Sequence, residues 1–577
     1  MGRQKDALAT TALVVSVVCL SISTLRLVRR KWQQEAGTLP DLYHPRRVGG
    51  TKNTVLFITS GEPGHSNVHL ATSLALLQNH GHVDVHFAAF PMAAERAERM
   101  HNTAAAAGAA AAAAAAATPS ASSPRFHFHS LPGLDFGQAV WASGLDFGIV
   151  CQGRGMTGID GLTAGLQVLL SPWSGPDHCA LFLAVRDLID TVDPAVIITD
   201  NLFRPGIDAA RESGRRHVIL TPNVLADTHM NWQGWGRAFW KYPAFGSGFQ
   251  YPVPWHLVPA NVYLVLRLAH AVVTAPSIAE KKAHLRESGL FTTTTCVNPI
   301  TPFALTYRLD VPWICQDSPN TISPGATVPL DIIPPNVIRA SPIILASTPQ
   351  QGPDPDPSLT AWLRSGHPTV LINLGSISLY TEAQAVSMSY ALVRVLDAVP
   401  HLQVLWKFRK AADYADPEVL VPEMAAHVAS GRIRLESWLA IDPAAMLLVD
   451  NVVASCHHGG ANSYFEAIAA GVPQVVLPPW IDCYGYACLA EQCGVGVWAC
   501  KDQKPAGSWD AGDLGNAILR VVDGGKESVA MRNKAKGLSE EVATRGRGRD
   551  IAAEVIADMA ALNQRETVLD VVLSHTR

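Results

Sequence analysis

NVVASCHHGGANSYFEAIAAGVPQVVLPP, residues 451–479, runs from an apolar strand through a glycine-containing turn into a helix and out to a second apolar strand. NVVASC (451–456) and PQVVLPP (473–479) are continuous apolar runs, the pattern of strands covered on both faces. The helix between them begins at about Asn462 and stops near Gly471. Two strands joined by a helix lie parallel, so this stretch predicts an α/β fold with a parallel sheet.

The turn itself is unusual in composition. His458, Gly459 and Gly460 precede the helix, with Asn462, Ser463 and Glu466 in its opening turns. One reading is a capping box, because Ser463 to Glu466 has the S-x-x-E form. The other is an anion site. Glycines let backbone N–H groups approach a phosphate at the positive end of the helix dipole, and hydroxyl and amide side chains add donors. A cap accounts for Ser463 and Glu466 but leaves His458, Gly459, Gly460 and Asn462 without a reason.

The same alternation extends outward. TVLINLGS (369–376), LQVLWKF (402–408) and IRLESW (433–438) are further strands of this half. TVLFITSG (54–61), a helix HLATSLALLQNHG (69–81), and PAVIITD (194–200) followed by helical GIDAARESG form an equivalent first half. The Pro-rich break STPQQGPDPDPS (347–358) separates the halves. Two Rossmann-like domains with a crevice between them are expected, with ligands at the carboxyl ends of the strands.

HHGGANSYFEAIAAGVPQVVLPPWID resembles the donor-binding signature of the family 1 UDP-glycosyltransferases. The ordered H-x-G-x-N-S-x-x-E, then G-V-P and P-x-W-x-D, carries the likeness, with NLGSI (373–377), Trp438 and GHSNVHLATSLALL upstream. The likeness is fungal in style and covers most of residues 54–500. It implies the α/β GT-B fold, two Rossmann-like domains facing across a cleft. The organisation is then a transmembrane anchor (1–31), a tether (32–50) and an acceptor-binding domain (51–346) with an Ala-rich insertion at about 103–124. A linker (347–366) leads to a nucleotide-sugar-binding domain (367–577), whose last helices are expected to return to the first domain.

Residue by residue, the resemblance implies that His458 contacts the β-phosphate and that Asn462 and Ser463, beside Gly460, contact the α-phosphate. Glu466 would accept from ribose hydroxyls, and Trp438 would stack on the base. Ser376 would sit by the diphosphate, and Asp482 would accept from sugar hydroxyls. Two departures stand out: Cys483 replaces a Gln after the acidic sugar contact, and Trp438-Leu439-Ala440-Ile441 replaces W-x-P-Q. One sugar contact and one ribose contact are therefore missing or supplied elsewhere. Without its neighbours Trp438 would read as a core aromatic ending a strand.

The opposing chemistry falls in the first domain. His65 lies in the loop after TVLFITSG, and Asp200 ends PAVIITD. A histidine can take the proton of an acceptor hydroxyl as the bond forms, and a carboxylate on its far nitrogen fixes the tautomer. The family uses such a pair, and Gly64-His65…Leu70-Ala71 matches its G-H-x-x-x-x-x-L-A pattern. His69, read as the first helical residue, is the structural competitor. The implied reaction is a single displacement with inversion, metal-independent and without a cofactor, the UDP-sugar being a co-substrate. Asp354-Pro-Asp356 spells the D-x-D of metal-dependent transferases but lies in the linker, and GRGMTG (153–158) reads as a loop.

Residues 7–25 form a charge-free run of nineteen residues, long enough to cross a bilayer core, and read as a membrane anchor ahead of a cleaved signal peptide. Arg26, Arg29, Arg30 and Lys31 follow it, leaving the catalytic domains on the cytosolic side, with the endoplasmic reticulum the expected membrane. A net charge of −4 with no basic stripe excludes nucleic acid as a partner class. Ten cysteines without metal spacing are read as mostly reduced. No protein partner is indicated.

The acceptor has no motif. Residues 229–256 are dense in Trp, Tyr and Phe, and are open to three readings: an acceptor pocket first, then ordinary core, then a membrane-skimming surface. With the anchor they favour a lipophilic hydroxylated acceptor: a sterol, other lipid, terpenoid or polyketide. The resemblance implies a hexose as the transferred sugar, glucose by default. Two other functions compete: a non-catalytic membrane-tethered binding or scaffold protein, and an NAD(P)-dependent oxidoreductase.

Overall fold

In a computed structural model, described over residues 48–102, 104, 125–145, 151–230, 233–234, 236–290, 311–317, 326–345, 354–503, 505–563, 571–572 and 574–575, the strands form two all-parallel sheets. The first contains β1 (Thr51–Ile58), β2 (Asp84–Ala89), β3 (Phe126–Ser130), β4 (Pro194–Asp200), β5 (His217–Val224), β6 (Trp313–Gln316) and β7 (Val337–Ala340). Its order is β3-β2-β1-β4-β5-β6-β7. The second contains β8 (Thr369–Asn373), β9 (Gln403–Lys407), β10 (Ile433–Glu436), β11 (Val452–His457), β12 (Gln474–Val476) and β13 (Gly496–Trp498), in the order β10-β9-β8-β11-β12-β13. Each order reverses once, between β1 and β4 and between β8 and β11. Those reversals open crevices at the strands' carboxyl ends. His65 and Asp200 flank the first, Ser376 and His458 the second.

The central strands are mostly apolar up to their carboxyl ends because helices cover both faces: every residue of β4 is buried, as are Val55 to Ile58 of β1. Helix α1 (Pro63–Asn79) starts six residues before the expected position. Pro63 supplies a pre-set φ at the first turn, and the Glu62 carbonyl accepts from His65 N (3.0 Å) and Ser66 N (2.9 Å). His65 therefore stands on the first turn of a helix, not in a loop. His69 is fully buried one turn on, where its ring meets Phe57 edge-on.

GRGMTG also departs from the loop expectation. It is irregular only to Arg154, and α2 (Gly155–Leu169) begins inside it. Gly158 allows this, since a Cβ there would lie 1.5 Å from the Gly153 carbonyl oxygen. Helix α3 (Val258–Thr274) packs on α2 through Leu264 and Leu268. The stretch Trp255–Glu287 is, among the described residues, the one long and apolar enough to cross a membrane by length and composition. It is interrupted after Thr274, and Pro276 starts a new helix. Residues 7–25, the tether up to residue 47 and nearly all of the Ala-rich insertion lie outside the described residues.

In the second half, α4 (Ala461–Ala470) follows β11, α5 (Cys483–Gln492) follows β12, and α6 (Lys526–Arg545) covers α4. The chain then crosses back. Helix α7 (Gly548–Ala561) inserts Ala552, Val555, Ile556 and Met559 into the core of the first sheet, beside Val55, Leu74 and Val196. Gly548 makes the crossing close, since a Cβ there would sit 1.7 Å from the Ser341 carbonyl oxygen.

The aromatic segment at 229–256 is a seam between the halves. Tyr242 is buried, and Tyr251 N and O pair with the Gln492 amide (3.2 and 2.6 Å). Cys488 Sγ donates to Gly248 O at 3.1 Å, and Phe245 faces the cleft.

Candidate active site

Both crevices open into one cleft of about 2340 Å³. On its first wall, His65 Nδ1 lies 3.2 Å from Asp200 Oδ1. Asp200 is fully buried, its Oδ2 accepting from Thr59 Oγ1 (3.1 Å) and Ser60 Oγ (3.2 Å), its Oδ1 from Leu202 N (2.8 Å). Burial opposes a charge on both members. The pair's mutual attraction outweighs it, holding Asp200 well below the usual carboxylate range and His65 above the ordinary imidazole value. With Nδ1–H directed at Asp200, Nε2 is the free nitrogen. His65 keeps 20% exposure of its side chain, toward the cleft.

On the second wall the two adjacent histidines separate into different jobs. His457, last in β11, is internal: Gly459 N donates to its Nδ1 (3.0 Å) and its Nε2 reaches Gln474 Oε1 (2.8 Å). His458 lines the cleft, and its buried Nδ1 has no hydrogen-bond partner among the described residues. Burial pushes its pKa down to about 3, so the ring is neutral. Glycines frame it tightly. A Cβ on Gly375 (φ +90°) would stand 2.8 Å from its Cε1, and one on Gly460 2.4 Å from its Nε2.

The capping-box reading does not hold. Gly460 occupies the N-cap with no side chain to offer, and Ser463 is already the third helical residue. The first-turn N–H groups of α4 have no intrahelical partners, and Ala461, Asn462 and Ser463, which carry them, line the cleft. Ser376 follows Gly375 in the turn after β8, its carbonyl accepting from Arg409 Nη1 at 2.6 Å. Trp438 is not core: it is 57% exposed, lines the cleft beyond β10, and has Lys407 Nζ 4.1 Å from its ring centroid. Glu466 also lines the cleft. Burial, with help from Asp442, raises its pKa to about 7. Asp482 stands before α5, raised by burial but eased by His65, which brings the two walls into one electrostatic site.

The walls also touch. Asn462 Nδ2 donates to the carbonyls of Pro63 (3.1 Å) and Gly64 (3.3 Å), binding the first turn of α4 to the turn that carries His65. Arg96 Nη2 pairs with Asp442 Oδ1 at 3.1 Å, while Nη1 donates to Asn67. All ten residues singled out from the sequence thus converge on one site, nine lining the cleft and Asp200 directly behind His65.

Sequence reading missed four groups there: Glu62 (raised by burial to about 7), Asp227 (likewise about 7), Arg96 and Lys407. Only Glu62 and Lys407 carried a local signal, as charged residues closing apolar strands or their turns. Among the described residues no group of three or more His, Cys, Asp or Glu side chains is arranged to hold a metal ion. Asp354 and Asp356 serve each other and the following helix: Asp356 N donates to Asp354 Oδ1 (2.9 Å), and Leu359 N to Asp356 Oδ1 (2.8 Å).

Two parallel-sheet domains facing across such a cleft define the GT-B glycosyltransferase fold. Solved structures agree in fold. A UDP-glucosyltransferase from Polygonum tinctorium, in complex with 3,4-dichloroaniline, matches 90% of this chain and all of its own at TM-score 0.54 and 18% identity. A UDP-glucose:anthocyanidin 3-O-glucosyltransferase in complex with UDP matches 89% and 99% at TM-score 0.52 and 13% identity. Residues 410–559 match the model of the erythromycin biosynthesis protein CIII-like C-terminal domain. The glycosyltransferase sdnJ of Sordaria araneosa is 33% identical over 540 residues, 88% of this chain and 98% of that protein. Erythritol-mannosyl-transferase 1 of Mycosarcoma maydis is 36% identical over 121 residues, 21% of this chain and 19% of that one. The chain belongs to the family 1 UDP-glycosyltransferases and is a glycosyltransferase.

Proposed function

We propose that the protein is an inverting, metal-independent glycosyltransferase that moves a hexose, glucose by default, from a UDP-sugar to a hydroxyl of a lipophilic small molecule. The observation that carries this reading is the His65–Asp200 pair sharing one cleft with the α4 turn, the two tied through Asn462. His65 Nε2 takes the acceptor proton while the acceptor oxygen attacks the anomeric carbon. Asp200 holds the opposite N–H and stabilises the imidazolium that forms. The anomeric bond to the nucleoside diphosphate breaks on the far face, so an α-linked donor yields a β-glycoside.

Negative charge grows on the leaving diphosphate. The free N–H groups of α4, with His458, Gly460, Ser463 and Ser376, meet it. Asn462 contributes its main-chain N–H, its side chain being engaged by residues 63–64. Trp438 takes the base, Glu466 the ribose and Asp482 the sugar hydroxyls. No cofactor is required.

The acceptor class rests on the wall beside His65, where Phe136, Val140, Trp141, Leu166, Leu170 and Phe245 present apolar surface to the cleft. Such a lining suits a sterol, lipid, terpenoid or polyketide. A relative named for erythritol and mannose makes polyols and mannose donors the proper controls. We place the anchor at residues 7–25 and the catalytic domains on the cytosolic side of the endoplasmic reticulum. Deleting residues 1–31 should move the protein from the membrane to the soluble fraction.

The decisive experiment incubates the protein with nucleotide sugars and hydroxylated lipophiles and follows new glycosides by mass. His65→Ala should abolish transfer while nucleotide binding persists, since the donor site is on the other wall. A protein that binds nucleotide sugar yet transfers nothing to any acceptor is the scaffold alternative. Stabilisation by NADP and not by UDP would instead indicate an oxidoreductase.

A further inference from the structure

Lys407 closes β9 at the carboxyl edge of the second sheet, where the donor would bind. It is only 7% exposed, and its Nζ donates to Gly375 O at 3.0 Å and faces the Trp438 ring at 4.1 Å. No carboxylate pairs with it among the described residues. The charge that acts on it is another cation, Arg409, which holds the Ser376 carbonyl. A carbonyl and a π face only partly offset the cost of burying an ammonium, and a second cation nearby adds to it. An arrangement of this kind calls for an anion. The Gly375 turn to which Lys407 is bonded is also the turn that His458 packs against.

We propose that Lys407 is a donor-binding residue whose ammonium is the counter-charge for the diphosphate of the nucleotide sugar and of the departing nucleoside diphosphate. This rests on the proposed donor site and adds to it the cation that a metal supplies elsewhere. Burial, with Arg409 contributing, lowers the Lys407 pKa to about 8, and an incoming diphosphate favours its charged form.

The test is isothermal titration of the full chain with uridine, UMP and UDP, and with guanosine, GMP and GDP so that base preference does not decide the outcome. Melting curves verify folding. In the wild type the diphosphate binds best. Lys407→Met should weaken UDP or GDP binding roughly 10- to 100-fold while nucleoside binding changes less than about threefold. Lys407→Gln, able to bond the Gly375 carbonyl without charge, should show the same loss, and Lys407→Arg should recover most of it. If both neutral variants keep the wild-type preference of diphosphate over nucleoside, Lys407 is a strut for the turn and the proposal is wrong. Nucleoside and diphosphate weakened equally also overturns it. A wild type with no preference for either diphosphate refutes the donor site itself.

Discussion

Asp200→Asn isolates the role of the buried carboxylate. The substitution keeps the volume but removes the charge that faces His65 at 3.2 Å. At that distance, with an effective dielectric near 20, the pair attracts by about 5 kcal/mol before desolvation is subtracted. A base positioned and stabilised in this way contributes roughly 10²- to 10⁴-fold, which at 1.36 kcal/mol per decade is about 2.7–5.4 kcal/mol of transition-state stabilisation. The expected result is a 10²- to 10⁴-fold fall in kcat/KM with nucleotide affinity unchanged.

The pH profile gives a second readout. His65 must be neutral to act, and Asp200 holds its pKa above the ordinary value, so wild-type kcat/KM rises with pH through a midpoint above 6.5. Without that carboxylate, burial favours the neutral ring and is opposed only by the weaker fields of Glu62 and Asp482. The acid limb should therefore move to lower pH even as the plateau drops. An Asp200→Asn enzyme with activity within threefold of wild type and an unmoved acid limb would refute the dyad.

Further outcomes follow from the same geometry. Gly460→Ala drives a methyl toward His458 Nε2, 2.4 Å away, and should weaken diphosphate binding at least tenfold by calorimetry while the melting temperature stays within a few degrees. Asn462→Ala removes both hydrogen bonds to the His65 turn and should lower kcat about tenfold and quicken limited proteolysis between the domains, the interdomain cost being about 1–2 kcal/mol. Glu62, Asp227 and Glu466 have pKa values raised to about 7, so in the native state they keep protons that the unfolded chain releases from about pH 4 upward. They should make the ligand-free protein less stable as pH rises from 5 to 8. Glu466→Gln should remove about 1 kcal/mol or more of that dependence, read as a flatter plot of melting temperature against pH.

The sheets were legible because strands covered on both faces become unbroken apolar runs. PAVIITD coincides with β4 from end to end. β2 was not read, since His86 interrupts its apolar run, nor was three-residue β13, which carries little pattern. The start of α1 was hidden by Gly61, Pro63 and Gly64, residues that suggest a loop until the Glu62 carbonyl is seen taking two helical N–H groups. The proposed donor motif was legible because its residues are local, packed into the nine positions from His458 to Glu466. Arg96 and Asp442 were not: they are 346 positions apart, and each is an ordinary surface charge until the cleft brings them together. Asp227 likewise gains meaning only from Asp482 across the gap.

The return of α7 has a consequence for synthesis. The first sheet emerges from the ribosome some two hundred residues before the segment that packs on it, so its apolar face waits for Ala552, Ile556 and Met559. A nascent first domain is therefore an incomplete object that needs shielding, and a nonsense codon anywhere before residue 548 leaves its sheet without the helix that completes the core. Domain exchange between related enzymes has to carry this helix with the amino-terminal half, whatever its place in the gene.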